Sequence, residues 1–468
     1  MPLTILSQAQ LRALLLSLTK DEIVSLQENL ARSLQDYSTG NQENGCSSAY
    51  QPQRTAITRR NGCTTLFMPA STGLTLGMKM ISLQDGGTAG CAVAAGVDLP
   101  EVDKALLRSR GPRSSMASVS SEASEMSMSS QEEGEAGSST TSSSTPSLPS
   151  GCVNKLPVNT GISGTMGAWP GAGSRDTSPQ GSVTLLDGES LPFGLINAHE
   201  LTPFRTALTS MMVFNKRKRV RTIVVFGAGK QAYWHIRLAL VLRSAEIKRV
   251  FIINRSFERA AQLLRDIYAP ENSSWRGDVK FSAVSNDFGE YTRVIHDAIH
   301  KADAIFCCTP SIEPLFPARL ITAGEGRRKG RLISAIGSYK PHMTELDPDI
   351  LREEINISHS HRHFHKHVKR SGVVVVDSLD AALKEAGEII QAEVQPNQVV
   401  ELGELLMVRH AGRDLTQEDS DSKSLREWVE RGNVIYKSVG LGLMDLVTGG
   451  DLVQLARLRK IGTTVEDF

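Results

Sequence analysis

The sequence predicts an α/β protein: a domain built on a parallel sheet, a second, discontinuous α+β domain, and a long insertion. Three observations predict it. From residue 221 onward, short apolar runs alternate with helical patterns. A glycine turn joins the first of these runs to the helix after it, and a serine-dominated stretch interrupts the chain upstream. At 468 residues, more than one folded unit is expected.

Residues 4–36 carry Leu11, Leu14, Leu15 and Leu18, then Ile23, Leu26 and Leu30, at helical spacing, which predicts one or two amphipathic helices. No basic region precedes an apolar core there, so the start reads as folded helix and not as a targeting peptide. "QRTAITR", "TLFMPAS" and "LTLGMKMISL" read as strands. The stretch 114–150 is dominated by serine, and such a segment cannot bury enough apolar area to offset its ordering entropy. Roughly 100–178 is therefore expected to be disordered, as a tolerated insertion in preference to a regulatory phosphorylated tail.

Order returns at "GSVTLLDGESLPFGLINAHELTPFRTALTSMM", read as strand, turn, strand and a helix capped at Thr202 ahead of Pro203. From 221, "TIVVFGAG", "RVFIINRS", "VKFSAV", "ADAIFCCTP", "RLISAIGS" and "GVVVVDS" are strands separated by helical segments, the rhythm of a parallel sheet covered on both faces. The tail "GNVIYKSVGLGLMDLVTGGDLVQLARLRKIG" reads as one or two helices.

"GAGKQA" spans Gly227, Ala228, Gly229, Lys230, Gln231 and Ala232 and fits G-x-G-x-x-G/A. Gly227 permits the tight turn, Gly229 lets backbone amides approach a pyrophosphate, and Ala232 lets the helix sit close to the strand. The turn follows a strand and opens a helix, which is the context that makes the motif a Rossmann-type dinucleotide site. About 20 residues on, NAD-binding chains place a carboxylate for the ribose 2′-hydroxyl. Here Asn254 and Arg255 stand instead, and a guanidinium suits a 2′-phosphate, so NADP(H) is preferred over NAD(H). In the first domain Arg54 and Lys79 lie on strand-like pieces, and Arg205 lies in the first turn of the helix leading to the dinucleotide domain. If the three converge they suit a carboxylate-bearing substrate; spacing alone also allows three ordinary surface cations.

"LGMKMISL", "GLINAHELTPFRTALTSMM", "IVVFGAGKQAYWHI", "NRSFERA", "CCTPSIEPLF", "AIGSYKPHMTELDPDIL" and "VIYKSVGLGLMDL" together resemble the ornithine cyclodeaminase/mu-crystallin family, in the family's order. The resemblance implies a nicotinamide cofactor, a small cyclic imino acid or diamino acid as substrate, and a homodimer formed through the first domain. It implies that Arg54, Lys79 and Arg205 hold the substrate. It also implies that Gln231 is the phosphate-side contact after the glycine turn, that Thr309 touches the cofactor, and that Ser438 and Val439 close over nicotinamide and substrate; Lys230, inside the motif, is counted with the cofactor site. The "NR" at Asn254 and Arg255 resembles the NADPH-using mu-crystallin branch. The implied organisation is a substrate and dimerisation domain at 1–83 and 181–218, a disordered insertion at 84–180, a Rossmann domain at 219–431, and C-terminal helices at 432–468 that return to the first domain.

One departure bears on the reaction. Where cyclodeaminases carry an aspartate, and a lysine four positions on, this chain has Tyr339 and Met343. Cyclodeamination needs a base, and a phenol with an ordinary pKa near 10 is about three units from useful at neutral pH. Reduction of a preformed C=N asks for less: hydride, a cationic pocket and a protonated imine. The expectation is an NADPH-dependent reductase of carboxylate-bearing ketimines or cyclic imines, with Lys79 or Tyr339 handling the proton. A cyclodeaminase using another base, or a non-catalytic NADP(H)-binding protein, is the alternative.

Other features point elsewhere less firmly. The net charge of +1 gives no argument for nucleic acid or an anionic membrane, and no apolar run reaches the roughly 18 residues of a membrane span. Six cysteines without CxxC spacing imply no disulfide framework, and Cys307 and Cys308 read as packing residues in a buried strand, so a cytoplasmic protein is expected. The alternating histidines at 359, 361, 363, 365 and 367 read as a surface loop in preference to a metal site. "NKRKRVR" at 215–221 reads as a solvated helix end.

Overall fold

The computed structural model describes residues 2–40, 46–60, 62–84, 179–356, 374–411 and 420–468. The serine-rich stretch, the histidine-rich run, Cys91 and Cys152 lie outside the described residues.

The first part of the chain supplies β1 (Leu3–Leu6), α1 (Gln8–Leu16), α2 (Lys20–Thr39), β2 (Thr55–Thr58), β3 (Cys63–Ser71) and β4 (Leu76–Gln84). After the insertion come β5 (Gln180–Leu186), β6 (Pro192–Asn197) and α3 (Ala198–Phe214). The second part supplies β7 (Thr222–Phe226), α4 (Lys230–Arg243), β8 (Arg249–Ile253), α5 (Phe257–Tyr268), β9 (Lys280–Val284), β10 (Ala304–Cys307) and β11 (Leu332–Ala335). It continues with β12 (Val374–Val376), β13 (Val399–Glu401) and β14 (Val434–Lys437), and β15 (Thr463–Val465) closes the chain.

Two sheets result. The mixed sheet has the order β15-β1-β6-β5-β4-β3-β2, and the parallel sheet has the order β13-β12-β14-β11-β10-β7-β8-β9. In the parallel sheet β7 lies between β10 and β8, so the chain winds outward to β9 and returns on the other side of β7. That reversal opens a crevice at the carboxyl ends of β7 and β10, the general place for a ligand in an open α/β sheet. Alternation sorts the sheet's residues into two cores. Val225, Phe306, Leu332 and Tyr436 pack toward α3 and α4, while Val224, Ile305, Ile333 and Ile435 pack on the other face. The α/β class expected from the rhythm of apolar runs is the class observed.

The structure differs from the sequence reading at four places. The chain opens on a strand: "LTIL" pairs parallel with β6 and antiparallel with β15, and the helices follow it. The helix after β6 begins at Ala198, because Asn197 accepts the Glu200 N–H at 3.2 Å and caps it; Pro203 is accommodated inside a helix buried along its length, and Arg205 lies well past the first turn. The tail is not purely helical, since "VIYK" is a strand in the middle of the parallel sheet, joined to β11 and β12. Arg217 is buried and not solvated, donating to the carbonyls of Val429 at 2.7 Å and Gly432 at 2.8 Å.

Candidate active site

At the cofactor end, β7 delivers Gly227 with φ +107, a left-handed conformation, and a Cβ there would stand 2.7 Å from the Cys308 carbonyl oxygen. Gly229 caps α4 without a side chain, in extended geometry, and its Cβ position has no atom within 4 Å. The first turn of α4 thus presents amide N–H groups to open space, where an anion is favoured by the helix dipole. The Gln231 Oε1 is buried without a protein partner. The Lys230 ammonium, by contrast, turns back onto α3, where it meets the buried carboxylate of Glu200 and lies 3.4 Å from His199 Nδ1. Arg12 and Trp234 also donate to Glu200, at 3.0 and 3.3 Å.

Asn254 and Arg255 stand past the end of β8. The Asn254 amide donates to the Ser256 carbonyl at 2.8 Å and shapes the entry to α5, while Arg255 is exposed. Open space over Gly229 and the orphaned Gln231 oxygen beside the glycine turn fit a nicotinamide dinucleotide.

Between β10 and β11 a carboxylate missed by sequence reasoning organises the rim. Glu345 accepts the Thr309 N–H at 2.7 Å and hydroxyl at 3.2 Å on one oxygen, and the Gly337 and Ser338 N–H groups at 2.6 and 3.3 Å on the other. Burial pushes its carboxyl up to about 7, a rise moderated by the Lys437 ammonium. Lys437 in turn reaches Ser338 and lies 3.4 Å from Glu388, whose other oxygen accepts the Glu345 N–H at 3.0 Å. Thr309 therefore spends its hydroxyl on the protein, with its backbone locked against Gly337.

Asp377, at the end of β12, does the same for the loop after β14. It accepts the Ser438 hydroxyl at 2.8 Å and the Val439 and Gly440 N–H groups at 3.1 and 2.7 Å. Gly440 adopts φ +99, and a Cβ there would stand 3.0 Å from an Arg205 guanidinium nitrogen.

The three predicted cations come to this region. Pleating turns Met78 and Met80 of β4 outward and Lys79 inward, where it is 1% exposed. The Lys79 Nζ lies 2.9 Å from both oxygens of Asp445, in the helix Gly442–Leu458. Arg205 from α3 forms an ion pair with the same carboxylate, its Nε 3.2 Å from Oδ2, and its Nη1 lies 3.1 Å from the Met444 sulfur. Burial pushes Lys79 down to about 8; Asp445 resists the fall, and Arg205 and Arg54 add to it. Arg54 donates from Nε to Glu385 Oε1 at 2.7 Å, is depressed by burial, and is held up by Asp377 and Tyr339. Tyr339 is half-buried on the loop after β11. Asp445, Glu385, Asp377 and Glu345 were not singled out from sequence, where a carboxylate inside a helix or after a strand carries no mark. Cys307 and Cys308 are free thiols, and burial pushes both well above the ordinary range, as packing residues require.

Comparison with known proteins gives a consistent result. The ornithine cyclodeaminase/mu-crystallin family model matches residues 182–448. The chain is similar to a Delta(1)-pyrroline-2-carboxylate reductase of Bacillus cereus, 26% identical over 283 residues, covering 59% of this chain and 70% of that one. It is similar to the ketimine reductase mu-crystallin of Rattus norvegicus, 26% identical over 273 residues, covering 58% and 67%. Among solved structures, the fold resembles the Thermococcus litoralis Delta(1)-pyrroline-2-carboxylate reductase in complex with NADH and L-proline, with a TM-score of 0.57, 18% identity and coverage of 99% and 100%.

Proposed function

Because the chain belongs to the ornithine cyclodeaminase/mu-crystallin family, we propose that it is an NADPH-dependent reductase of cyclic imino acids. The observation that carries this reading is the sharing of one buried carboxylate, Asp445, by Lys79 and Arg205. Two cations on one acid retain one net positive charge, which suits a substrate with a single carboxylate. Arg205 and Arg54 bind and orient that carboxylate, and the Lys79 ammonium faces the imine nitrogen and donates the proton that this nitrogen gains as C=N becomes CH–NH. NADPH, when bound, supplies the hydride that converts C=N to CH–NH. Glu345 and Asp377 fix the backbone at Thr309, Gly337 and Ser338, and at Ser438 to Gly440, so the rim does not reorganise during the reaction.

Tyr339 is supported as a proton relay by its place near Arg54. Tyr339→Phe is expected to lower kcat about tenfold with KM little changed; unchanged turnover removes Tyr339 from the role. Cyclodeaminase action is the weaker reading, because Tyr339 and Met343 stand where the resemblance calls for an aspartate and a lysine. The test is a spectrophotometric screen of cyclic imino acids with NADPH and NADH, with ammonia release from ornithine measured in parallel. Oxidation of NADPH by an imino acid supports the reductase. Ammonia release alone supports the cyclodeaminase, and tight NADPH binding without either supports a non-catalytic binding protein.

Arg255 is the proposed basis of cofactor choice. Arg255→Ala is expected to reduce NADPH affinity by about 10- to 100-fold, the worth of one or two charge-assisted hydrogen bonds, while leaving NADH within about threefold. Calorimetry with both coenzymes measures it, and equal losses for the two would overturn the assignment. A homodimer is supported by Leu76, Met78 and Met80, which expose a row of apolar side chains along β4. Among the described residues no helix is long and apolar enough to cross a membrane. The free thiols of Cys46, Cys63, Cys307 and Cys308 support a reducing, cytoplasmic setting.

A further inference from the structure

We infer that Asp445 is a positioning residue, which keeps the Lys79 ammonium charged and aimed in the substrate pocket. The inference deepens the proposed reductase reading and rests on it for the identity of the substrate. Lys79 is buried, 1% exposed. Its cross-strand neighbours, Met68 on β3 and Val183 on β5, are apolar, and the ionisable groups that reach it are Asp445 from the C-terminal helix, Arg205 from α3 and Arg54 from the segment before β2. Two of those three groups are cations and disfavour its charge. An ammonium buried among guanidinium groups in apolar surroundings would lose its proton near neutral pH. Among the described residues the group opposing this is Asp445, fully buried and 2.9 Å from Lys79 through both oxygens.

The aim of Asp445 is itself fixed by the fold. Its helix starts at Gly442, directly after the loop whose Val439 and Gly440 N–H groups are held by Asp377. Gly440 lets the Arg205 guanidinium pass against the backbone to reach Asp445 Oδ2, an oxygen that Lys79 also contacts. Asp377 thus sets the loop, the loop sets the helix, and the helix sets Asp445 between the two cations.

The role is tested on the full-length protein by titrating lysine 13Cε resonances, with Lys79→Arg assigning the Lys79 signal, alongside pH profiles of kcat/KM. In the native protein the Lys79 titration and the alkaline limb of kcat/KM are expected to coincide near pH 8. Asp445→Asn is expected to move both down by at least one unit and to raise KM for the imino acid at pH 7 at least tenfold, with NADPH affinity within threefold. A folded Asp445→Asn protein whose Lys79 midpoint does not move overturns the inference. Asp445→Glu keeps the charge and displaces it by one methylene; it is expected to hold the midpoint within one unit while raising KM at least fivefold. An unchanged KM in Asp445→Glu overturns the aiming role, also where Asp445→Asn does not fold. If the native protein reduces no imino acid, the reductase reading fails separately, and the resonance titration still decides what Asp445 does to Lys79.

Discussion

Replacing Lys79 with methionine is expected to lower kcat/KM for a cyclic imino acid by about two to three orders of magnitude, while NADPH affinity stays within about threefold. A charge-assisted hydrogen bond is worth about 1.5–3 kcal/mol, roughly a 10- to 150-fold effect on its own. The loss here is larger because Lys79 is not independent. With Lys79 gone, Asp445 remains 3.2 Å from the Arg205 Nε and neutralises it. The pocket then falls from one net positive charge to none, and Arg205 is drawn away from the substrate as well. Removing one member of a buried ionic cluster also costs about 3–5 kcal/mol of stability, so rates are compared well below the variant's unfolding temperature. Methionine keeps the apolar stem as far as the Cε position, which separates loss of charge from most of the loss of packing. Initial rates with NADPH and calorimetry for the cofactor check the expectation. A kcat/KM within threefold of the native value would mean that the Lys79 charge acts neither on the substrate nor on the poise of Arg205.

How much of this was legible in the sequence follows from burial geometry. The strands β7 to β12 were readable because a parallel strand covered on both faces is a continuous apolar run, and here each run is bracketed by turn residues or charges. The same rule misled at β14, where "VIYK" is short, ends in a buried lysine and is followed after a four-residue loop by a long helix. β1 was hidden for a similar reason: "LTIL" precedes strong helical periodicity, and nothing local separates a buried strand of four residues from the start of a helix. The cap at Asn197 was missed because Pro203 looked like a first-turn proline. Tertiary burial of the whole helix outweighs the one hydrogen bond that Pro203 removes.

The site divides along the same line. Gly227, Gly229 and Ala232 were legible because their roles are local, a turn and a close approach written within six residues. Arg54, Lys79 and Arg205 were reached through family resemblance, and residue spacing alone left them as ordinary cations. Their partner Asp445 was not reachable at all, since it meets Lys79 across 366 positions of sequence. Glu345 belongs to the same class. Nothing in "HMTEL" announces that its glutamate gathers the backbone of Thr309, Gly337 and Ser338. Lys230 shows the converse, for a residue inside the motif turns away from the turn because Glu200 offers a buried carboxylate.

The two motif glycines are expected to fail in opposite ways when each is changed to alanine. At Gly227 the methyl group meets the Cys308 carbonyl oxygen at 2.7 Å and the backbone sits at φ +107. Positive φ costs a non-glycine residue about 1–2 kcal/mol, and contact with main chain adds more because neither β7 nor the end of β10 can withdraw without breaking its ladder. Gly227→Ala is therefore expected to lose at least about 3 kcal/mol of stability, read as a lowered unfolding midpoint in the absence of cofactor. At Gly229 the backbone is extended and the methyl group meets nothing within 4 Å. Only the preference of a helix cap for glycine over alanine opposes the change, about 1 kcal/mol or less. Its effect falls on the ligand instead, because the added methyl occupies the space through which a pyrophosphate approaches the amides of α4. Gly229→Ala is expected to fold with nearly native stability and to bind NADPH at least tenfold more weakly. Thermal unfolding and calorimetry on the pair distinguish the cases, and native NADPH affinity in Gly229→Ala would show that the turn does not hold the dinucleotide.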